Sequence, residues 1–71
     1  MAYEQGDTPA YVVKVDDAGT YVYFGEAVPG TATSAAKWRI HRITSATGNI
    51  DWARLAAFNQ IWDNRASLTY S

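Results

Sequence analysis

Three turn signals cut the first fifty residues into short runs rich in Val, Tyr, Trp and Ile. The signals are Asp16-Asp17-Ala18-Gly19, Val28-Pro29-Gly30-Thr31 and Ala46-Thr47-Gly48-Asn49. Such punctuation predicts antiparallel strands joined by tight turns. Residues 10–16 read as a first strand, with Tyr11, Val13 and Val15 on one face and Val12, Lys14 and Asp16 on the other. Gly19 takes a positive φ and closes a hairpin onto residues 20–27. In that return strand Tyr21 and Tyr23 share one face, Val22 and Phe24 the other. Both faces are apolar, so the strand is covered on both sides, or on one side by a partner chain. Pro29 and Gly30 fit the two central positions of a type II turn. The small residues 31–36 form an extended loop or one helical turn.

A third strand spans residues 37–45, with Trp38 and Ile40 opposed to Arg39, His41 and Ile43. Ile50 and Trp52 make a short fourth. Residues 54–63 change period: Leu55, Phe58, Ile61 and Trp62 recur at helical spacing, predicting a short amphipathic helix over a core of Trp38, Trp52, Phe58 and Trp62. Alternation returns in residues 66–70 and predicts a terminal strand. Residues 1–9, with Gly6, Asp7, Thr8 and Pro9, read as an N-terminal arm, and residues 10–71 as one domain. The expected fold is α+β and β-rich: a small antiparallel sheet of four to five strands with one short helix in the C-terminal half.

A chain of 71 residues and 7.8 kDa buries only about 60% of the surface its unfolded form exposes. Domains this small are commonly supplemented by disulfides, a metal or association. The chain has no Cys and one His, which excludes a disulfide and a thiolate or His-rich metal site. No cofactor is expected, and self-association or docking on a larger assembly is the remaining supplement. The sequence has no apolar run of transmembrane length and no signal-peptide pattern at its start.

Charge is divided along the chain. In residues 1–36 Lys14 alone faces Glu4, Asp7, Asp16, Asp17 and Glu26, a net −4; residues 37–71 set Lys37, Arg39, Arg42, Arg54 and Arg65 against Asp51 and Asp63, a net +3. The halves pair within one fold or head to tail between copies.

Catalytic readings are thin. A triad would need His41 with Ser34, Ser45 or Ser67, and no Gly-x-Ser-x-Gly elbow is present. Residues 30–37 (GTATSAAK) fail the phosphate-loop pattern, since Ala36 precedes Lys37 and Trp38 follows it. The chain is not expected to be an enzyme. Residues 37–42 (KWRIHR) interleave bases with an aromatic, as single-strand binders do, but the net charge of −1 disfavours nucleic acid. Tyr3, Tyr11, Tyr21, Tyr23 and Tyr70 are interface candidates or part of the monomer core, and Arg39, His41 and Arg65 join the interface candidates. Exposed aromatics also suit a glycan ligand.

Gly25-Glu26-Ala27-Val28-Pro29-Gly30-Thr31-Ala32-Thr33-Ser34-Ala35-Ala36-Lys37-Trp38-Arg39-Ile40, then Trp52, then Ile61-Trp62-Asp63-Asn64-Arg65-Ala66-Ser67-Leu68-Thr69-Tyr70-Ser71, resembles a family of very short proteins of tailed bacteriophages, encoded among virion structural genes. The resemblance covers about two thirds of the chain, from Tyr21 to the C-terminus. The chain departs from it after Trp52: the resembled proteins often carry an Asp-Gly turn where Ala53-Arg54-Leu55-Ala56 stands. The resemblance implies a virion structural protein: a head decoration protein, or a neck, baseplate or tail-fibre component. Its implied partners are itself, as a homo-oligomer, a larger phage protein, or a host surface glycan at a tail tip, and not a membrane. On this reading Asp63-Asn64-Arg65 ties the helix end to the last strand or to a neighbour, and loss of Arg65 weakens assembly more than folding.

Overall fold

The computed structural model describes residues 10–71; the N-terminal arm and Tyr3 lie outside the described residues. The fold is an antiparallel sheet with short 3-10 turns. Its strands are β1 (Val12–Asp17), β2 (Tyr21–Ala27), β3 (Ala36–Thr44), β4 (Ile50–Trp52) and β5 (Gln60–Ile61). The order is β1-β2-β3-β4, with β5 also on β3. The turns form where Gly allows them. Gly19, Gly30 and Gly48 have φ of 89°, 89° and 74°, and Thr31 N donates to Val28 O at 3.1 Å.

The pairing registers sort the side chains, because directly opposed residues of antiparallel strands share a face. One face, here the back, carries Lys14–Gly25–Ile40 and Asp16–Tyr23–Arg42–Asp51 across the strands. The front carries Val15–Phe24–His41–Trp52 and Asp17–Val22–Ile43–Ile50. The core lies on the back. Tyr23, Ala27, Trp38, Ile40, Ala53 and Trp62 are buried, with Tyr21, Leu68 and Tyr70 packed against them. The C-terminal segment covers this face. Trp62 meets Trp38 with ring centroids 6.0 Å apart, and Trp38 Nε1 donates to Ala32 O at 2.9 Å, fastening the loop of small residues to the core.

The expected α-helix over residues 54–63 does not form. The chain makes a 3-10 turn at Arg54–Ala56, pairs at Gln60–Ile61, and makes a second 3-10 segment at Trp62–Ser67. The reason lies on β3. β4 covers only His41, Arg42 and Ile43, and a helix would leave the edge at Ala36 and Trp38 without partners. Backbone groups at a buried position must be paired, Trp38 is buried, and β5 pairs this edge, with Ala36 opposite Ile61 and Trp38 opposite Gln60. Ala53 N donates to Ile40 O at 2.9 Å, so an unbroken ladder would bring Leu55 opposite Trp38. β4 and β5 are therefore two halves of one strand line, and residues 54–59 are an excursion looped out of it.

The expected terminal strand over residues 66–70 is also replaced. Ala66 and Ser67 belong to the second 3-10 segment, and of the rest only Tyr70 bridges, to Ala53. Trp52 and Ser71 exchange backbone hydrogen bonds of 3.2 and 3.1 Å, which covers part of the outer edge of β4.

Candidate interaction face

β2 and β3 alternate strictly, so each places its second apolar set on the front. There Phe24 stacks on His41 with centroids 5.0 Å apart and planes 8° apart, and His41 meets Trp52 at 4.5 Å. At the next rung Arg39 pairs with Glu26. The Arg39 guanidinium lies 4.7 Å from the Phe58 ring centre and 5.2 Å from that of Trp52. Phe58 in turn stacks on Tyr11 at 5.2 Å. The front is thus a belt of rings from Phe24 to Tyr11, bordered by aliphatic residues that stay exposed: Val13 (60%), Val15 (58%) and Ile50 (55%). Burial among these rings pushes the His41 imidazole below its ordinary value; Glu26 opposes the shift and Arg39 adds to it.

The excursion stands at the end of this face. Arg54, Leu55 and Ala56 have φ of 50°, 63° and 63°, a left-handed run without glycine. Leu55 is 90% exposed at its tip. Such strain concentrates at functional segments.

The candidates of the sequence divide between the faces. Arg39, His41 and Tyr11 belong to the front. Tyr23 is buried in the core and is no docking residue, because β2 turns it towards Tyr21 and Tyr70. Tyr21 and Tyr70 sandwich the Arg42 guanidinium at 4.1 and 4.5 Å on the back. The Tyr70 hydroxyl donates to Arg65 O at 2.7 Å, and burial pushes its pKa up to about 12. Arg65 Nε donates to Asp16 Oδ2 at 3.0 Å, and its guanidinium lies over Trp62 at 4.6 Å. It ties the second 3-10 segment to β1, the first strand, where the sequence suggested the last strand or a neighbour. The Glu26–Arg39 and Asp16–Arg65 ion pairs join the acidic half of the chain to the basic half within one fold.

The four rings Trp38, Trp52, Phe58 and Trp62 do not gather into one core. Trp38 and Trp62 are buried on the back, whereas Trp52 and Phe58 lie in the front belt and Phe58 is exposed. The basic run of residues 37–42 is split likewise, Arg39 and His41 in front and Arg42 behind. The Ser45 and Ser67 hydroxyls donate to Gly19 O and Asn64 O. Among the described residues no three His, Asp or Glu side chains gather as a metal site, and no helix is long and apolar enough to cross a membrane. Sequence reading missed the excursion and its exposed Leu55.

No protein-family model, curated protein or solved structure matches the chain.

Proposed function

We propose that the protein is a bacteriophage virion structural protein, a small assembly domain that acts through repeated protein–protein contacts by its front face. The resemblance of residues 21–71 supports the virion setting. The observation that carries the contact is the front face itself, where Val13, Val15 and Ile50 stay more than half exposed beside the Phe24–His41–Trp52 row. Contiguous exposed apolar surface rimmed by polar groups marks interaction sites.

The ring geometry favours a protein over a sugar or a nucleobase. Phe24 and His41 stack on each other across neighbouring strands, nearly parallel. The stack occupies one face of each of these rings, and sugars and bases stack on open ring faces. Arg39 is engaged by Glu26 and Arg42 by two tyrosines, so neither is a free phosphate ligand.

The test is purification of virions of the encoding phage, with quantitative mass spectrometry of the protein and the phenotype of Ile50→Asp. Many copies per particle, and loss of the variant from particles while it stays folded in isolation, is the expected result. Absence from particles would overturn the virion reading. Normal incorporation of folded Ile50→Asp would overturn the role of the front face.

A further inference from the structure

The two edges of the sheet are not alike. The outer edge of β4 is partly occupied by Tyr70 and Ser71. β1 is the other edge, and among the described residues no backbone group pairs with its outer side. Ala18 N donates to Tyr21 O, which fixes the phase of the β1–β2 ladder. Residues 12, 14 and 16 turn their N–H and C=O groups towards β2, and residues 13, 15 and 17 turn theirs outward. Such an edge is a template for another strand.

We infer that a second copy of this chain occupies it, β1 against β1 about a two-fold axis through Val15. A two-fold normal to the sheet keeps the front of one copy continuous with the front of the other, so opposed residues must be both front or both back. It must also match outward backbone groups with outward backbone groups. The axis can then pass only through a residue of β1, and the charges choose among the central ones. Centred on Lys14, the pairing sets Lys14 against itself; centred on Asp16, it sets Asp16 against itself. Centred on Val15, it sets Lys14 of each copy against Asp16 of the other, at the rung where side chains lie closest. Val15 meets Val15 in front, and Val13 and Asp17 supply the outer backbone bonds. Asp16 gives only Oδ2 to Arg65, which leaves Oδ1 for the incoming ammonium.

The alternation Val13-Lys14-Val15-Asp16 thus works as a self-complementary code, where protective edges carry charges that repel a copy. The result is a continuous sheet whose two front faces form one extended surface. This specifies the self-association within the assembly reading and rests on that reading for its purpose. The two fail separately: a chain that stays monomeric refutes the pairing and leaves front-face docking to another protein intact.

The chain has no cysteine, so single Cys variants report the register cleanly. Light scattering of the full chain over a concentration series should give a mass twice 7.8 kDa. Under mild oxidation Val15→Cys should form a covalent dimer and Val13→Cys should not, because only residue 15 meets its own copy. Lys14→Glu should weaken the dimer about tenfold, since two attractive pairs become repulsive. Val15→Pro removes an N–H that points away from β2, so it should give a monomer with unchanged near-ultraviolet circular dichroism. A monomer at every concentration, equal cross-linking of the two Cys variants, or no cross-linking of either overturns the inference. So does a chain that dimerises only after residues 1–9 are deleted, which would make the arm the occupant of the edge.

Discussion

The indole of Trp62 lies on the bare backbone of Gly25: a methyl group placed on Gly25 would sit 2.7 Å from Cζ3 of Trp62 and 3.2 Å from Cε3 of Trp38. The glycine is a packing requirement, since its φ lies outside the left-handed region and its neighbours are rings. Gly25→Ala must push one indole out of the core. The expected loss is about 1–3 kcal/mol, as for other overpacked cores. Gly19 is the control: nothing lies within 4 Å of its added methyl, and only its φ of 89° resists substitution. Gly19→Ala should cost about 1–2 kcal/mol through backbone strain alone, with no change in tryptophan emission. Urea midpoints and fluorescence of both variants separate the two causes. An unshifted emission maximum in Gly25→Ala would contradict the contact.

Arg65 is held three ways inside the fold: by Asp16, by the Trp62 ring and by its own donation from Nη1 to Trp62 O at 3.2 Å. Arg65→Ala is therefore expected to act on stability, against the assembly role the sequence suggested. The ion pair is partly exposed, so charge alone contributes less than about 1 kcal/mol; the guanidinium over the indole adds about 0.5–1 kcal/mol. Arg65→Lys keeps the charge and should recover less than half of the loss, because the planar stack is gone. Thermal unfolding of Arg65→Ala, Arg65→Lys and Asp16→Asn checks this. Unchanged melting of Arg65→Ala with loss of assembly would restore the first reading.

The front-face rings make stability fall on acidification. Burial lowers the His41 pKa below 6.5, so in the window below that value the unfolded chain binds more protons than the folded one. Stability is then present above about pH 6.5 and lost as pH drops through the window. His41→Phe keeps a ring in the row and removes the titration. Melting temperatures between pH 7.5 and 5 should fall less steeply in the variant than in the native chain. Parallel curves would show that His41 is not desolvated.

Tyr70 gives the alkaline counterpart. Its pKa is raised to about 12 by burial, with Tyr23 adding to the shift and Arg42 and Arg65 opposing it. The folded state favours the neutral phenol, so this stability is whole below pH 10 and is lost as pH rises towards 12. Tyr70→Phe removes the hydrogen bond to Arg65 O and should cost about 1 kcal/mol at neutral pH. Tyrosinate absorbance should show one phenol fewer titrating late in the variant. A native chain whose tyrosines all titrate together near pH 10 would refute the burial of this hydroxyl.

Legibility of the sequence followed the range of the interactions. In β3 the alternation of Trp38 and Ile40 with Arg39, His41 and Ile43 is local, and it names the faces correctly, with Arg42 following Trp38 and Ile40 to the back. The three glycine turns are local as well. Gly25 was a readable cue, because a glycine inside a strand marks a close approach, but its partner Trp62 is fixed by the fold. The 54–63 segment failed because its periodicity serves two masters. Leu55 and Phe58 belong to the excursion, Ile61 and Trp62 to β5 and the core cover. Their helical spacing is fortuitous, and the deciding quantity, the uncovered edge of β3 at Ala36 and Trp38, lies some twenty residues away. The front face was legible in Tyr11, Arg39 and His41, whereas Trp52 and Phe58 were assigned to the core, and its ring stacking depends on the β2–β3 register.

The excursion separates strain from function. Three consecutive left-handed residues without glycine cost about 1–2 kcal/mol each relative to a residue that tolerates the conformation. Leu55 recovers little of this through burial, being 90% exposed. Leu55→Gly relieves the backbone and removes little packing, so it should raise stability by about 0.5–1 kcal/mol, with part of the gain offset by the entropy of a freer unfolded chain. Leu55→Ser keeps the strain and removes the apolar tip, so it should leave stability unchanged. If the tip inserts into a partner, both variants lose incorporation into virions although one is more stable and the other equal to the native chain. That dissociation between melting temperature and incorporation is the expected result. Native incorporation of both variants would show that the strained tip serves the return of the chain to β5 and contacts nothing.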